Sequence, residues 1–584
     1  MNTKTYELEC DRWGISPDGT NPTETTKGFN DALNYAAAEG YREIYIPKGV
    51  YKIDCVSNFG SRPEYGGGIR NPSNLDVDMH PEATFLVLEN DAVGYSLFYI
   101  NLAENITMKG GRIIGDRYKH TYTYYEEKTK THEWGYGIHI RGSKNINIEN
   151  VFVSDCTGDN IWIAANGMMN YAGSTYITAR DVTIKKCTLM RGRRNCLATN
   201  GCEGLLVDDC TIEEAGGVGG TRPEYGIDLE GFGENGIKYD HPYKLIIRNC
   251  RIKNNGLGAI SSFTAGKVII EGNEVDDVIS YGYSTDVTIT NNQIINEGEI
   301  KPYGIDSLGV SSTETGNRVS IKGNTIRGFN IGINAKGKGI LVSKNTIEDV
   351  ESIGIQVYQA TSSLVIGNRI DADCTHIKML YAKKTTVIGN ESEGNTDNFA
   401  YQVTYSERTV FSGNTLYDGD GGLSVGNSTL TKFKGNTLFI TGENYGVHWD
   451  ASSDLEVSDN TFHMGSGVAI MGYADLYTNI IKDNVIHDSK ATYAIYLKGG
   501  SFHAVERNTV KVARNADFGY GIYIEGTTGV RMTGNDVAVT NGRDLTAPIT
   551  TEKSVGTLVD GNKYNRKQIK THESDIVGQN FYVA

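Results

Sequence analysis

From residue 268 onward the chain keeps returning to one short pattern: apolar, polar, apolar, polar, Gly, Asn, polar, apolar. It reads VIIEGNEV at 268–275, VSIKGNTI at 319–326, ILVSKNTI at 340–347, TVFSGNTL at 409–416 and VRMTGNDV at 530–537. Alternation with a period of two belongs to a strand with one buried face. In GINAKGKGILVSKNTI, for example, Ile333, Ile340, Val342 and Ile347 alternate with polar residues. With the Asn as a mark, positions 324, 345, 368, 390, 414, 436, 460, 484, 508, 535 and 562 stand 21 to 27 residues apart. A period of that size made of short strands predicts a solenoid, in which no coil buries its apolar face alone and stacking supplies the core. The Asn is expected to take the left-handed turn and to bond its own kind in the next coil, with the preceding Gly easing the bend.

The marks continue upstream as Gly111, Asn150, Cys187, Cys210, Cys250, Asn273 and Asn292, with some gaps near 40. Surplus length must leave the stack as loops, here at about 116–136, 166–180, 215–225, 231–243 and 298–316. The reading is therefore an all-β parallel β-helix over 56–563, with a loop-rich active half at about 100–325 and a regular stalk at 326–563. Residues 1–55 form an N-terminal cap. Within it Phe29, Ala32, Leu33, Ala36 and Ala37 line one face of a helix that Gly40 stops, followed by the strand EIYIP. Residues 564–584 break the repeat and serve as a C-terminal cap or association segment.

Composition narrows the class. At 584 residues the chain exceeds what one compact core supports, and 70 Gly against 10 Pro fits many tight turns. A net charge of −15 argues against a nucleic-acid partner. No run of 18 apolar residues exists, so no membrane insertion is expected, and MNTKTYELECDRWG shows no Sec signal. Nine Cys without a CxxC pair suggest buried thiols formed in a reducing compartment, with no zinc site.

The segment WGISPDGTNPTETTKGFNDALNYAAAEGYREIYIPKGVYKI resembles the opening of the pectate-lyase-like right-handed parallel β-helix superfamily. Within that superfamily the chain is most similar to phage tailspike and pre-neck appendage proteins and their prophage relatives. The resemblance implies a right-handed helix and a homotrimer on a virion tail, folded in the host cytoplasm and extracellular after release. It also implies contacts with other tail proteins and a bacterial cell-surface polysaccharide as ligand and substrate. Lyases, glycoside hydrolases, epimerases and non-catalytic adhesins share the fold, so activity must be argued from residues.

Aligning the strands by their marks turns one column of side chains outward, about 4.8 Å apart from coil to coil. It holds His139 and Arg141, then Asn160 and Trp162, Ala198 and Asn200, Asp228 and Glu230, Ser262 and Thr264, and Asp306. Glycoside cleavage needs one carboxylic acid for the leaving oxygen and a second carboxylate to attack or activate water. Asp159, Asp228 and Glu230 are the catalytic candidates. CTGDNIWIAA and YGIDLEG resemble blocks of polygalacturonase-like hydrolases, which picks out Asp159 and Asp228. His139, Arg141, Trp162, Arg193, Arg194, Asn200, Tyr225 and Asp306 are the substrate-binding candidates. A lyase would instead draw a base from Arg191, Arg193 or Arg194, whose alternative is salt bridging to Glu203, Asp208 and Asp209. The tyrosine-rich loop bearing Trp134 offers a stacking wall for sugars. No metal site is assigned, although Asp155, Asp208 and Asp209 are conceivable Ca2+ ligands.

Overall fold

The computed structural model describes residues 4–583 except 58–66, 124–131, 168–175, 232–240, 309–316, 396–398, 474–477, 514–518 and 541–544. Much of four of the expected loops therefore lies outside the described residues. The chain forms two compact units, Met1–Glu297 with Asp306–Gly309 and Gly298–Ile305 with Val310–Ala584. Each is a right-handed parallel β-helix built on two sheets.

In the first unit, strands Lys144–Glu149, Ala179–Lys185, Cys202–Asp208, Tyr243–Arg248 and Gly266–Glu271 pair in parallel in one sheet. Trp134–Arg141, Ile161–Ala164, Leu197–Asn200, Tyr225–Glu230 and Gly258–Phe263 pair likewise in the other. In this second sheet Ile138, Ile161, Leu197, Ile227 and Ile260 fall in register and are fully buried. Each such side chain contributes roughly 1.5–3 kcal/mol on burial. The second unit repeats the scheme, as in Ile333, Ile355 and Ile377.

The Asn ladder forms, but its left-handed residue is not the Asn. Positive φ belongs to the residue before it: Gly323, Lys344, Gly367, Gly389, Gly413, Gly435, Asp459 and Asp483. Upstream, Lys186, Asp209 and Asn249 take it, and Cys187, Cys210 and Cys250 are buried in the next position, free of disulfides. Asn150 is itself left-handed, so the mark of that coil is Val151, one residue later. The division follows from chemistry. The bend needs a residue without a bulky demand on φ, and the amide must point into the stack, where Asn345 Nδ2 donates to Asn368 Oδ1 at 2.9 Å and to the Ile321 carbonyl at 3.0 Å.

The expected helix spans Pro22–Ala38, beginning three residues before the Thr pair because Pro22 holds its first position after Asn21. Phe29, Ala32, Leu33 and Ala36 are buried as expected, Ala37 only partly, and Phe29 packs against Tyr51 and Phe85 at 5.1 and 5.4 Å between ring centroids. The strand Glu43–Ile46 follows.

Candidate functional site

Strand pairing in the second sheet of the first unit sets two outward columns. Tyr99, His139, Trp162, Ala198, Asp228 and Ser261 share one. Arg141, Ala164 and Asn200 share part of the next, and Glu230 stands beside Phe263. The expected stacking holds for His139 with Ala198 and Asp228 and for Arg141 with Asn200, but Trp162 rather than Asn160 stands level with His139, a shift of two, and the register slips by one at the coil after Glu230. Ser261 and Phe263, rather than Ser262 and Thr264, occupy the column, and Ser262 pairs with the core residue Leu229. The Tyr281 N–H donates to the Asp306 carbonyl, which sets Asp306 beside Ser280, further along the Asp228 column.

In two of these strands a glycine, Gly137 or Gly226, precedes the core isoleucine, a signal that the alternation pattern does not contain. A Cβ on Gly226 would meet Ile252 Cγ2 at 2.6 Å and Asn255 Nδ2 at 2.8 Å, so only glycine lets this coil close onto the opposite strand.

The inner column faces outward yet is covered. His139 is fully buried, and Trp162, Ala198 and Asp228 are 6%, 2% and 3% exposed. The Tyr136 ring stacks on Trp162 at 4.7 Å, and His139 lies 4.6 Å from the same indole while its Nδ1 bonds Ser96 at 3.0 Å. The indole N–H donates to Asn200 Oδ1 at 3.0 Å, and the Asn200 amide donates to the Glu230 carbonyl at 2.8 Å. Asn160 is buried as well, its amide donating to the Met190 carbonyl. Trp134, by contrast, is 44% exposed at the edge of its loop.

Asp159, Arg194, Asp228 and Glu230 form the charged centre. Arg194 Nη1 donates to Asp159 Oδ2 at 3.1 Å, and its Nη2 lies 3.8 Å from Glu230 Oε2. Asp159 also accepts from the Asn195 N–H and side-chain amide, both at 3.0 Å on Oδ1. Burial nonetheless raises the Asp159 carboxyl, against the lowering effect of Arg194 and Asn195. Asp228 is pushed up to about 7, first by burial and then by the Glu230 and Asp159 charges, with Arg194 opposing. Burial likewise lifts the Tyr225 phenol to about 12, aided by Asp228, Asp277 and Asp306. The Glu230 side chain remains 44% exposed. The centre thus pairs a carboxyl that holds its proton near neutrality with an open carboxylate two residues along the same strand.

The three arginines take partners other than Glu203, Asp208 and Asp209. Arg191 bonds Asp155 at 2.7 and 3.1 Å and nears Glu214. Arg193 is buried, donates to the Gly219 and His132 carbonyls, and lies over the Tyr122 ring at 4.4 Å. It braces the loops, whereas Arg194 enters the site. Arg141 is half-buried beside Ala164. Two framework residues escaped the sequence reading. Asn195 clamps Asp159 and accepts the Tyr225 N–H at 2.9 Å. Arg117 donates to the carbonyls of Arg191, Gly192, Gly216 and Val218, tying the RGRRN turn to its neighbour. Such bonds to backbone oxygens leave no spacing motif.

Asp155 pairs with Arg191, and Asp208 with Arg248 at 3.0 Å, so these carboxylates are engaged apart from one another. Among the described residues no group of three or more His, Cys, Asp or Glu side chains is arranged to hold a metal ion. No helix there is long and apolar enough to cross a membrane.

The right-handed beta helix region family matches residues 176–311 and 308–442. The family described as periplasmic copper-binding protein (NosD) matches 388–583. Within the described residues of that span, His463 and His487 stack face to face at 4.8 Å. The chain is 49% identical to the SPbeta prophage-derived uncharacterized protein YorA of Bacillus subtilis (strain 168) over 88% of each chain. It is 33% identical to YclG of the same organism, again over 88% of each. Among solved structures, the tailspike of E. coli bacteriophage HK620 is similar at a TM-score of 0.47 and 13% identity, over 76% of this chain and 77% of that one.

Proposed function

The chain belongs to the family of the B. subtilis proteins YorA and YclG, and from that premise we propose that it is a prophage tail-appendage protein that binds and hydrolyses a bacterial surface polysaccharide. The observation that carries the chemistry is the raised Asp228 carboxyl beside the open Glu230 carboxylate. In this reading Asp228 gives its proton to the glycosidic oxygen as the bond to the anomeric carbon breaks. Glu230 attacks that carbon or takes a proton from the attacking water. Asp159 holds Arg194 and Asn195 in place beside them. Trp162, Asn200, Tyr225, His139, Arg141 and Asp306 shape the surrounding wall.

Charge favours hydrolysis over a lyase or epimerase reaction. The one guanidinium is already engaged by Asp159 and Glu230, and the proton-holding Asp228 beside them supplies no positive charge. A uronate needs a cation to neutralise its carboxyl before proton abstraction, and this centre repels it. The shielding of Asp228 supports a second reading, a non-catalytic glycan-binding appendage. Assembly as a homotrimer together with other tail proteins belongs to the same proposal and is measurable by light scattering.

One experiment separates these readings. The protein is incubated with capsule, teichoic acid and uronate polymers, and products are resolved by mass. Hydrolysis yields shortened chains with new reducing ends and no unsaturated uronate, and Asp228→Asn abolishes them. A wild type that binds a polymer and never shortens it overturns the enzymatic reading and leaves the adhesin.

A further inference from the structure

The second unit carries aromatic side chains on both sheets, and the two sets are arranged differently. On the first sheet Tyr417, Phe439, His463 and His487 form a column with successive interplanar angles of 9°, 6° and 10°. That is what coil stacking alone produces, since parallel rings at the strand spacing cover one another.

On the outer face of the second sheet the register runs through His448, Met471, Tyr496 and Tyr523. Tyr496 and Tyr523 are only 8% and 7% exposed, because Tyr493 and Tyr520 lie over them at 4.8 and 4.7 Å. Their hydroxyls are fixed as well, Tyr496 donating to Glu525 at 2.6 Å and Tyr523 to Glu552. This half of the face is therefore a rigid wall.

Tyr473 breaks the pattern. It is 39% exposed, and its ring stands at 68° to His448 and 76° to Tyr496, with centroids 6.0 and 6.3 Å away. Tyr523 is likewise crossed to Tyr496 at 64°, so what sets Tyr473 apart is its exposure: it forms an open corner where the Tyr496 and Tyr523 rings are covered. Lys498 and Glu525 follow Tyr473 in register in the next two coils, which puts a donor and an acceptor beside the ring. They also pair with each other at 3.6 Å, and Asp450 beside His448 adds negative charge, so among the described residues the corner holds no free cation to attract an anionic polymer.

We propose that the corner made by His448, Tyr473 and the Tyr496 wall is a carbohydrate-binding subsite for a neutral glycan chain. One pyranose lays its apolar face on Tyr473 and its hydroxyls reach Lys498 and Glu525. The inference rests on the proposed function for the ligand's class, a glycan, and is independent of the chemistry assigned to Asp228. It gives a binding role to coils whose regular spacing marks them as inert stalk.

The test is affinity electrophoresis in gels containing dextran, galactomannan or mixed-linkage β-glucan, with polygalacturonate as the anionic control. Wild type and Asp228→Asn are both retarded by at least one neutral polymer and not by polygalacturonate. Tyr473→Ala weakens that retardation at least tenfold, Tyr473→Trp preserves it, and the circular dichroism melt of both variants matches wild type. Failure of every neutral polymer to retard the wild type overturns the subsite, as does unchanged retardation of Tyr473→Ala. Should Tyr473→Ala melt early, Lys498→Ala with Glu525→Gln serves as the second variant, and retention of full binding by that pair also overturns it. Absence of cleavage products with intact binding counts against the hydrolase reading alone.

Discussion

The Trp162 indole N–H donates to Asn200 Oδ1 at 3.0 Å, so a residue of the covered column is tied to one of the open column beside it. Asn200 then donates to the Glu230 carbonyl, and the bond passes to the strand that bears both candidate carboxylates. Asn200→Ala leaves a buried indole N–H and a strand carbonyl without these partners, at a cost of about 1–3 kcal/mol. The expected result is faster amide exchange across Leu197–Asn200 and Tyr225–Glu230, with exchange at the distant coils of the second unit unchanged. Uniform exchange across all coils contradicts this local coupling.

Asp228 supplies a pH dependence whose sign can be worked out. Its carboxyl has an ordinary value of 3.8 and is raised to about 7 in the folded chain. Between those values the folded state holds a proton that the unfolded state has lost, so this group's contribution to stability falls as pH rises from about 4 to about 7. Asp228→Asn removes that slope and makes the protein relatively more stable at pH 8 than at pH 5. Because the Glu230 charge is one of the raising causes, Glu230→Gln lowers the Asp228 value, whereas Arg194→Ala raises it further. Carboxyl carbon NMR titration reads both shifts. If Asp228 is the general acid, the basic limb of kcat/KM moves down in pH with Glu230→Gln in the residual activity.

A second pH effect comes from the loop ahead of Trp134. Thr123 donates to His132 Nε2 through its N–H at 3.2 Å and its hydroxyl at 2.8 Å. His132 Nδ1 then meets His120 Nε2 at 2.6 Å, and His120 Nδ1 meets Asp116 Oδ2 at 2.8 Å. With both imidazoles neutral, every bond has one donor and one acceptor, running from Thr123 to Asp116. A proton on His132 Nε2 destroys the bond from the Thr123 N–H and forces the Thr123 hydroxyl to turn from donor to acceptor. Burial, then the His120 and Arg193 charges, hold His132 below its ordinary 6.5, with the Ala92 backbone and then Asp91 opposing. The unfolded chain therefore takes up a proton below 6.5 that the folded loop refuses, and stability is lost as pH falls through that region. Limited proteolysis is expected to cut this loop sooner at pH 5 than at pH 7.5. His132→Gln, which keeps an acceptor without a titrating proton, should flatten the difference.

The β-helix, the helix at its start and the outward positions His139, Ala198 and Asp228 were legible because period-two alternation and a fixed mark act over many coils, whereas the Asn160–Trp162 coil was displaced by two. A slip of one residue would have exposed the whole isoleucine stack, so the register was well determined wherever both neighbours were regular. It was lost at Ser261, where the serines on both faces give no apolar contrast. Exposure was misjudged for His139, Trp162 and Asp228. Alternation says which way a side chain leaves the sheet, whereas covering by Tyr136 or by a loop is a tertiary event. Arg193 and Arg194 are adjacent in sequence with the same chemistry, and only the fold sends one to backbone carbonyls and the other to Asp159. The left-handed residue was assigned to Asn because Asn tolerates that bend. The ladder consumes its amide instead, and the bend passes to the preceding residue.

That last correction yields a prediction at Asn436, in the middle of the ladder. Its Nδ2 donates to the Phe411 carbonyl at 3.1 Å and to Asn460 Oδ1 at 3.0 Å, and its own Oδ1 accepts from the N–H and the amide of Asn414, both at 2.9 Å. Asn436→Ala strips a partner from both Asn414 donors in a buried stack and opens a small void. The expected loss is about 2–4 kcal/mol in the local opening energy of these coils. Asn436→Asp keeps the acceptor for Asn414 and loses the two donations, and it adds a buried charge facing Asn460 Oδ1, so it should be the worse variant at pH 7 and improve as pH falls. Gly435→Ala tests the other half of the division, because the bend at φ 64° lies there and no heavy atom within 4 Å opposes a Cβ. Its cost should be only about 1 kcal/mol, set by backbone strain alone. Native-state hydrogen exchange at Asn414, Asn436 and Asn460 ranks the three, and a larger effect at Gly435 than at Asn436 would return the structural burden to the bend and away from the amide.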